Sequence, residues 1–407
     1  MIVPAVAATP KTCGGKAAAL GALLRAGLPV PDGFVVPFDA CRAVLRDLEP
    51  LLDGSAGPDA VRQAIEAQPI DAGLLGALAC GLDGLGDPPV AVRSSAANED
   101  TAEQSAAGQH ESFLAAQGIS EVAHAVRACW ASLYSHRAID YRGTSGQERP
   151  LMAVLVQRHV DAEVSGVMFT PTDPDGATEI EAAWGLGLSV VGGTVTPDAY
   201  RVAADGSVTR TIGDKRVRLD RLGARLITQE LAAPARRQSS IDDGTAARLA
   251  RLGQKIAAVL GGAQDIEWAI ADRSIWILQA RPVTAALPPP SPSGGSTASV
   301  GALVGTPGSR GTASGTARIV RGPGDFTRVR PGDILVCPFT DPAWTPLLRI
   351  AAGVITETGG VLSHAAIVAR ERHIPAVLGI PNATARLPDG VTITVNGSTG
   401  TVTTTHA

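Results

Sequence analysis

Aromatic residues, cysteine and lysine are all scarce in this 407-residue sequence, and each scarcity limits what the protein can be. Aromatics make up 3% of the chain against 45% hydrophobic residues, so the cores must be built from Ala, Val, Leu and Ile. The five cysteines are scattered and form no CxxC pair, which argues against a zinc site or a disulfide framework and favours a reducing compartment. With a formal net charge of −4 and no long basic block, we expect no nucleic-acid partner and no membrane-surface partner.

Long apolar runs are also missing. No run approaches the ~20 residues that a bilayer-spanning helix needs, and the first residues, MIVPAVAATPK, lack the charged leader and apolar core of a signal peptide. We therefore expect a cytoplasmic protein. Lysine is the last scarcity, because 31 of the 35 basic residues are arginine, and each of the four lysines is a candidate for a specific role.

Glycine and proline, by contrast, are abundant, with 46 and 29 residues, which indicates many tight turns rather than a helical bundle. The sharpest change in composition is the segment ALPPPSPSGGSTAS at 286–299, which is typical of an interdomain tether because nothing in it could pack into a core. We therefore predict an N-terminal domain at 1–285, a Pro/Ser/Gly linker at 286–300, and a compact domain at 301–407.

Helix and strand patterns are mixed throughout, which predicts an α+β or α/β multidomain fold. The clearest predicted elements of the N-terminal domain are a helix at 17–25, strands at 89–96 and 151–160, a long helix at 120–142 with Ser120 as its N-cap, and two strands within 265–283. The C-terminal domain alternates short strand patterns with a few helices, one of which starts at Ala365.

The segment TCGGKAAALGALLRAG, 12–27, places Gly-Gly-Lys at the start of a helix. Backbone N–H groups and the Lys16 ammonium would then meet near a helix N-terminus, which is a natural site for phosphate. The spacing is not that of a P-loop. A turn with an exposed lysine is the alternative that this segment alone leaves open.

A second segment, VAVRSSAANEDTAEQSAAGQHESF at 90–113, carries Arg93 from a hydrophobic strand into small and polar residues. Such a loop can cover a polyphosphate while the guanidinium binds its oxygens. A solvated surface loop is the competing interpretation.

A third segment, DIEW…LQARP, places Glu267 and Gln279 on neighbouring antiparallel strands, with Arg281 on the same face as Gln279. Carboxylate and amide oxygens facing a phosphate suit Mg²⁺, which prefers oxygen ligands and keeps substrate phosphates in its shell. A partly buried salt bridge between Glu267 and Arg281 is the alternative.

These segments together resemble the ATP-binding module of the pyruvate phosphate dikinase, phosphoenolpyruvate synthase and rifampicin phosphotransferase family, which is of the ATP-grasp class. The resemblance extends over nearly all of 10–285 through GGKAAALGALLRAGLPVPDGFVV, VAVRSSA, EDTAEQSAAGQHESFL, VLVQRHVDAEVSGVMFT, WGLGLSVVGGTVTPDAY and IEWAI…LQARP. It implies the following ATP-site residues: Lys16 and Arg93 on phosphates, Gly108 and Ser112 in the covering loop, Gln157 near the adenine, and Glu267, Gln279 and Arg281 at the metal–phosphate end, with Mg²⁺ held by Glu267 and Gln279. In the covering loop, Ala106 stands where the family commonly has an aromatic residue. His110 and Arg137 are weaker candidates, for which an exposed position and a surface salt bridge are the alternatives.

The segment GGVLSHAAIVARERHIP, 359–375, contains two unequal histidines. His364 follows a glycine turn and starts a helix, where the helix dipole disfavours the imidazolium and would favour an attached phosphate, with Ser363 and Thr358 as possible hydroxyl donors. An ordinary buried or capping histidine is the alternative. His373 lacks these features and is predicted to lie at the helix end. The segments TDPAWTPLL and TETGGVLSHAAIVARERHIPAVLGI resemble the β/β/α swivelling phosphohistidine domain of the same family, and His364 matches its catalytic histidine.

The resemblance implies a dikinase-type reaction in which ATP pyrophosphorylates His364, AMP and Pi are released, and phospho-His364 phosphorylates an acceptor. About 15 residues separate the two predicted modules, too few for the family's acceptor domain to fit between them. We therefore expect an alcohol, phenol or acid as a small-molecule acceptor, or a separate acceptor subunit, rather than pyruvate or rifampicin. Two alternatives stay open: a phosphocarrier acting on an acceptor protein, and an ATP-grasp ligase that forms an acyl-phosphate.

Overall fold

The computed structural model describes residues 1–52, 56–97, 111–136, 138–139, 149–173, 175–285, 287 and 302–404. The chain divides into two compact units: one contains Met1–Glu163, Asp220–Thr228 and Arg251–Pro282, and the other contains Val164–Leu219, Gln229–Ala250 and Val283–Ala407. Ala106, Gly108, His110 and Arg137 lie outside the described residues. Within the described ranges, no helix has the length and apolar character needed to cross a membrane.

A five-stranded antiparallel sheet organises the first unit. Its strands are β1 (Val3–Pro4), β2 (Gly33–Val36), β3 (Val90–Ala96), β4 (Ser112–Ala116) and β5 (Met152–Arg158), in the order β1-β2-β5-β3-β4. Val92 and Val156 point from one face of the sheet into the apolar core. Because strand side chains alternate between faces, Arg93 and Gln157 share the opposite face.

The helices with described bounds beside this sheet include α1 (Pro10–Arg25), α2 (Phe38–Asp47), α3 (Glu49–Leu52), α4 (Pro58–Ala67), α5 (Ala72–Gly84) and α6 (Gly118–Ser132). The prediction for α6 was wrong at both ends, since the helix begins before Ser120 and ends ten residues before position 142. Beyond its last turn the Ser132 and Ser135 hydroxyls donate to backbone carbonyls at 2.7 and 2.9 Å, a local alternative to helical hydrogen bonding.

The second unit starts with an antiparallel meander of β6 (Val164–Phe169), β7 (Thr178–Trp184), β8 (Asp198–Val202) and β9 (Val208–Thr211), with the short helix α7 (Leu188–Val191) after β7. Asp198 and Lys215 form a fully buried ion pair. The Asp198 carboxylate also accepts hydrogen bonds from Gly213 N at 2.9 Å and from Ser240 N at 2.7 Å, so the buried charge is well satisfied.

Two hairpins and two helices complete the N-terminal region. They are β10 (Val217–Leu222), β11 (Arg225–Glu230), α8 (Ala233–Arg236), α9 (Asp243–Leu260), β12 (Gln264–Ala271) and β13 (Ser274–Pro282). The predicted pair of strands within 265–283 is confirmed. Asp272 and Arg273 turn the β12–β13 hairpin with φ values of 50° and 61°, as a two-residue turn between twisted strands requires.

The C-terminal region is a β/α domain built on an eight-stranded sheet. Its strands are β14 (Leu303–Val304), β15 (Thr306–Ser309), β16 (Thr312–Ile319), β17 (Ile334–Cys337), β18 (Gly353–Thr356), β19 (Ala376–Leu378), β20 (Thr392–Asn396) and β21 (Thr401–Thr404). Their order is β14-β21-β20-β16-β17-β18-β19-β15.

Strands β16 to β19 are parallel at the centre of this sheet. Parallel neighbours need crossover connections, which here include the helices α10 (Thr345–Leu348) and α11 (His364–Glu371); a third helix, α12 (Ala383–Arg386), follows β19. The mixed fold class predicted from the sequence is confirmed. The segments that follow β17 and β18 leave the same edge of the sheet, where α/β proteins commonly place their reactive groups.

Candidate functional site

Thr340 and His364 follow the carboxyl ends of the adjacent parallel strands β17 and β18. His364 is the first residue of α11, is 4% exposed, and has its Nδ1 3.0 Å from Thr340 Oγ1. When the threonine oxygen accepts the Nδ1 proton, the lone pair of the neutral ring lies on Nε2. In that tautomer, Nε2 is the ring nitrogen whose lone pair is available for attack.

The loop before His364 uses its hydroxyl groups differently from the prediction. Thr358 Oγ1 donates to Gly193 O at 2.6 Å, and Ser363 Oγ donates to Gly360 O at 2.8 Å. Both hydroxyls thus bond to backbone carbonyls in this conformation. His373 lies just past the end of α11 with a φ of 55°, which agrees with its predicted helix-end position.

Two residues of this region were missed from the sequence. Thr340 belongs to the TDPAWTPLL segment, yet nothing local pairs it with a histidine 24 residues away. Glu181 is a buried acid in strand β7, which also carries Glu179, and its Oε2 accepts a hydrogen bond from Leu362 N at 3.2 Å. Burial raises the pKa of the Glu181 carboxyl to about 7. The available signal was the pair of acids, Glu179 and Glu181, in an otherwise largely apolar strand.

The first unit contains a second cluster, which begins at a break in α1. Gly14 has a φ of 78°, and a Cβ there would lie 2.4 Å from Ser95 O, so α1 approaches β3 too closely for a side chain. Ser95 Oγ donates to Cys13 O at 2.7 Å and accepts from Ala17 N at 3.1 Å, which stabilises the break. Because Gly14 is non-helical, a second helical segment starts at this kink with Lys16 in its first turn, which agrees with the prediction that Gly-Gly-Lys opens a helix; Pro10–Cys13 forms a preceding helical turn.

Lys16 is placed by this kink beside the sheet face that carries Arg93. The buried Lys16 Nζ donates to Ser94 O at 2.9 Å. Ser112 on β4 lies directly opposite Arg93, so the two side chains belong to the same face. Two fixed cations and a hydroxyl at one sheet edge can together hold phosphate oxygens.

The β12–β13 hairpin supplies the acidic part of this cluster. Glu267 lies directly opposite Gln279, and Asp265 lies opposite Arg281. Arg93 connects the hairpin to β3, because its NH1 donates to a hairpin carbonyl at 3.3 Å and lies 3.8 Å from Glu267 Oε2. Arg281 has Asp265 as an ion-pair partner at 2.7 Å, whereas the open alternative was Glu267.

Gln157 lies on the Arg93 face of the sheet but is almost fully buried. Its Nε2 donates to Pro31 O at 3.1 Å, so the side chain fixes the segment before β2. Two residues on, burial lowers the pKa of His159 to about 4, assisted by Arg221 and Arg93 and opposed by Asp161. His159, just after the end of β5, is therefore a buried and neutral imidazole close to Gln157, the predicted adenine contact.

Glu267 and Gln279 are the pair whose donors fit a magnesium ion. Both offer oxygen atoms from directly opposite positions, which suits a hard divalent cation. Among the residues that the structure describes, no group of three or more His, Cys, Asp or Glu could hold a metal alone. A site with one carboxylate and one amide from the protein still suits Mg²⁺, because this ion completes its shell with substrate phosphates and water.

The two candidate sites are thus a cation-rich cluster beside a hairpin and a buried histidine that starts a helix in a β/α domain, a combination suited to phosphoryl transfer. The chain belongs to the pyruvate phosphate dikinase family: residues 10–288 match the family model described as pyruvate phosphate dikinase, AMP/ATP-binding domain, and residues 329–400 match PEP-utilising enzyme, mobile domain. The expected ATP-grasp domain followed by a phosphohistidine domain is thereby confirmed as the fold class. The exact boundaries at 285 and 300 stay predictions.

Curated relatives agree with this assignment. The chain is 37% identical over 96% of its length to a probable phosphoenolpyruvate synthase of Methanothermobacter thermautotrophicus and 37% identical to one of Archaeoglobus fulgidus. It is 35% identical to the phosphoenolpyruvate synthase of Aeropyrum pernix. The chain spans only 61%, 56% and 56% of these three proteins, respectively.

Proposed function

We propose that this chain catalyses a dikinase-type phosphotransfer: ATP pyrophosphorylates His364 and releases AMP, Pi is then released, and phospho-His364 phosphorylates a small-molecule acceptor. One observation carries the proposal. His364 is buried at a helix start with Nδ1 3.0 Å from Thr340 Oγ1, in a chain that also carries the Lys16–Arg93–Glu267 cluster. When the Thr340 oxygen accepts from Nδ1, the hydrogen bond orients the ring and leaves the Nε2 lone pair available for attack on phosphorus.

The chemical steps balance at the histidine. Nε2 forms a bond to the β-phosphorus, the bond from that phosphorus to the α,β-bridging oxygen breaks, and AMP leaves with the bonding electrons. Water then attacks the terminal phosphorus, the bond from that phosphorus to the β,γ-bridging oxygen breaks, and Pi leaves; the bridging oxygen and its bonding electrons stay on the phosphoryl group attached to Nε2, and the proton lost by water is released. The remaining phosphoryl group passes from Nε2 to an acceptor oxygen, whose proton is released. Throughout, Thr340 keeps the Nδ1 proton in place.

The cluster of the first unit would bind and orient the nucleotide. Lys16 and Arg93 would bind phosphate oxygens, Ser112 and Gly108 would contribute to the covering loop, Gln157 would lie near the adenine, and Arg281 would complete the metal–phosphate end. Glu267 and Gln279 would hold Mg²⁺, which when bound neutralises phosphate charge. Positioning and fixed positive charge supply most of the catalysis in phosphoryl transfer, so these side chains need no proton-transfer role.

The acceptor is the open part of this proposal. The relatives are named for making phosphoenolpyruvate, and the chain spans 56–61% of the length of the first three. Pyruvate is therefore the first acceptor to test, followed by other small acids, alcohols and phenols. A separate subunit that supplies the acceptor site is the alternative arrangement.

Intact-mass and nucleotide analysis after incubation with Mg-ATP tests the reaction. Wild-type protein should form AMP and gain an acid-labile, base-stable phosphate, whereas His364→Ala should do neither. His373→Ala is the matched control, because it removes the histidine at the opposite end of α11 and should behave as wild type. AMP formation undiminished in His364→Ala would exclude this histidine as the nucleophile, and ADP as the only nucleotide product would favour the ligase alternative.

A further inference from the structure

Glu181 makes direct contact with the loop that carries His364. We call residues 358–364 the histidine loop. Glu181 projects from β7 and accepts a hydrogen bond from Leu362 N at 3.2 Å, and the Val361 N–H also bonds to its carboxylate. A Cβ built on Gly360 would lie 2.1 Å from Glu181 Oε1. The carboxyl group therefore lies against bare backbone and fills the space of a missing side chain.

Three further contacts hold the histidine loop to the same part of the second unit, and all of them are uncharged. Thr358 Oγ1 donates to Gly193 O at 2.6 Å, and Gly359 N donates to Val195 O at 3.0 Å. Leu362 also packs into a small apolar cluster with residues of β6 and β7. Of the four contacts named here, the one made by Glu181 contains an ionisable group, and the other three provide no pH dependence.

The two sides of this contact come from the two family modules. Glu181 lies within the AMP/ATP-binding match at 10–288, and the histidine loop lies within the mobile-domain match at 329–400. In this pose His364 is 4% exposed, so it must leave the pose before an acceptor can reach it. A group that stabilises the pose therefore also controls departure from it.

We propose that Glu181 is a positioning residue that holds the histidine loop in this docked pose with a proton bound, so that docking takes up a proton and weakens as the pH rises. Its use in a catalytic cycle rests on the proposed function. The docking equilibrium itself does not, and it can be measured without nucleotide.

The charges around Glu181 support this behaviour. Burial raises the pKa of Glu181 from an ordinary 4.5 to about 7, against the opposing hydrogen bonds from Leu362 and Val361 and the charge of Arg370 on α11. Glu179 on the same strand raises that pKa further, although Arg201 on β8 is paired with Glu179.

The sign of the pH effect follows from these values. The carboxyl binds its proton more tightly in the docked pose than in water, so docking is strongest below pH 4.5 and weakens as the pH rises to about 7. Each unit of pKa difference is a factor of ten, so the docking constant should fall on the order of 10²-fold over this range. A variant in which residue 181 cannot ionise isolates the contribution of the Glu181 carboxyl.

Hydrogen exchange of the backbone amides at 359–362 measures docking directly in the full chain. We compare wild type with Glu181→Gln, which keeps the shape of a protonated carboxyl but cannot ionise. Glu163→Gln is the matched control, since Glu163 Oε1 also accepts a backbone N–H, from Asp272 at 3.2 Å, away from the histidine loop. Protection is corrected for intrinsic exchange at each pH between 5 and 8, in the absence of nucleotide.

In wild type and Glu163→Gln, protection should fall on the order of 10²-fold from pH 5 to 8. In Glu181→Gln, protection should change by less than about threefold across that range, because glutamine does not ionise; a threefold change corresponds to less than half a pKa unit. Gly360→Ala, whose new Cβ would displace the carboxyl, should lose protection at every pH while the melting temperature shows that the chain stays folded. A wild-type pH profile in Glu181→Gln, or full protection in Gly360→Ala, would overturn the proposal. Failure of ATP to label His364 would instead reject the proposed function and leave this measurement standing.

Discussion

At the scale of single residues, the histidine site depends on which ring nitrogen carries the proton. Thr340 can accept from Nδ1 or donate to it, but only the first arrangement leaves Nε2 as the nucleophile. The same hydroxyl holds the ring plane in place, with Nδ1 and Oγ1 3.0 Å apart. Thr340 is therefore a positioning residue whose loss should be seen in the rate of histidine phosphorylation rather than in nucleotide binding.

Replacing Thr340 with valine should slow phosphorylation of His364 about tenfold, because one buried hydrogen bond contributes about 1–1.5 kcal/mol. Thr340→Ser keeps the hydroxyl and should retain most of the rate. Single-turnover AMP formation measured from pH 6 to 9 checks this, with the valine variant also shifting the pH profile because the tautomer is no longer held. Equal rates and profiles in the two variants would contradict the role given to the hydroxyl.

At the scale of elements, the sequence predicted strands and hairpins better than helix ends. The β12–β13 hairpin was predicted correctly because its period-two pattern and two-residue turn are local signals. The end of α6 was missed because the apolar pattern continues past Ser132, whereas two serine hydroxyls compete for the helix carbonyls. The kink in α1 was missed because its cause, Ser95, is 82 residues from Cys13.

The candidate site shows the same division between local and distant signals. His364 could be predicted from its own segment, since a glycine turn, a helix start and a histidine are adjacent in the sequence. Thr340 and Glu181 could not be predicted in this way. Thr340 reaches His364 because β17 and β18 are neighbours in the sheet, and Glu181 contacts Leu362, which lies 181 residues further along the chain. Their roles follow from tertiary packing rather than from a motif.

Gly14→Ala tests whether the kink in α1 positions the nucleotide cluster. Alanine is strained at a φ of 78°, and its Cβ would meet Ser95 O at 2.4 Å, so we expect a loss of about 1–3 kcal/mol in the free energy of unfolding and weaker ATP binding. Gly76→Ala is the control, since Gly76 lies inside α5 with no heavy atom within 4 Å of its Cβ, and it should stabilise by about 0.5–1 kcal/mol. Urea unfolding and ATP titration measure both; the same sign of stability change in the two variants would contradict this account.

At the scale of the whole molecule, the nucleotide cluster and the histidine belong to different compact units. In-line attack requires the imidazole nitrogen to reach the nucleotide's phosphorus within bonding distance. The predicted linker at 286–300 was assigned from its Pro, Ser and Gly composition, which is typical of tethers rather than of packed chain. Its length is therefore expected to set which positions the histidine can reach.

Deleting residues 288–295 should abolish transfer at one or both sites while leaving ATP binding unchanged, because a shorter tether reduces the reach by roughly 25 Å at about 3 Å per residue. Replacing the same eight residues with Gly and Ser keeps the length and should preserve activity. AMP formation and phosphate transfer to acceptor, measured separately, show which site is lost. Wild-type rates for both steps in the deletion variant would reject a tether function.

The scarcity of lysine has a practical consequence for observing such movements. Lys16 and Lys215 are buried, so of the four lysines in the chain, all within the described residues, only Lys11 and Lys255 are exposed. Amine-reactive dyes would therefore attach to side chains at just those two positions. Changing either one to arginine preserves the charge and leaves a single exposed lysine side chain for labelling, without adding a foreign cysteine to the five already present.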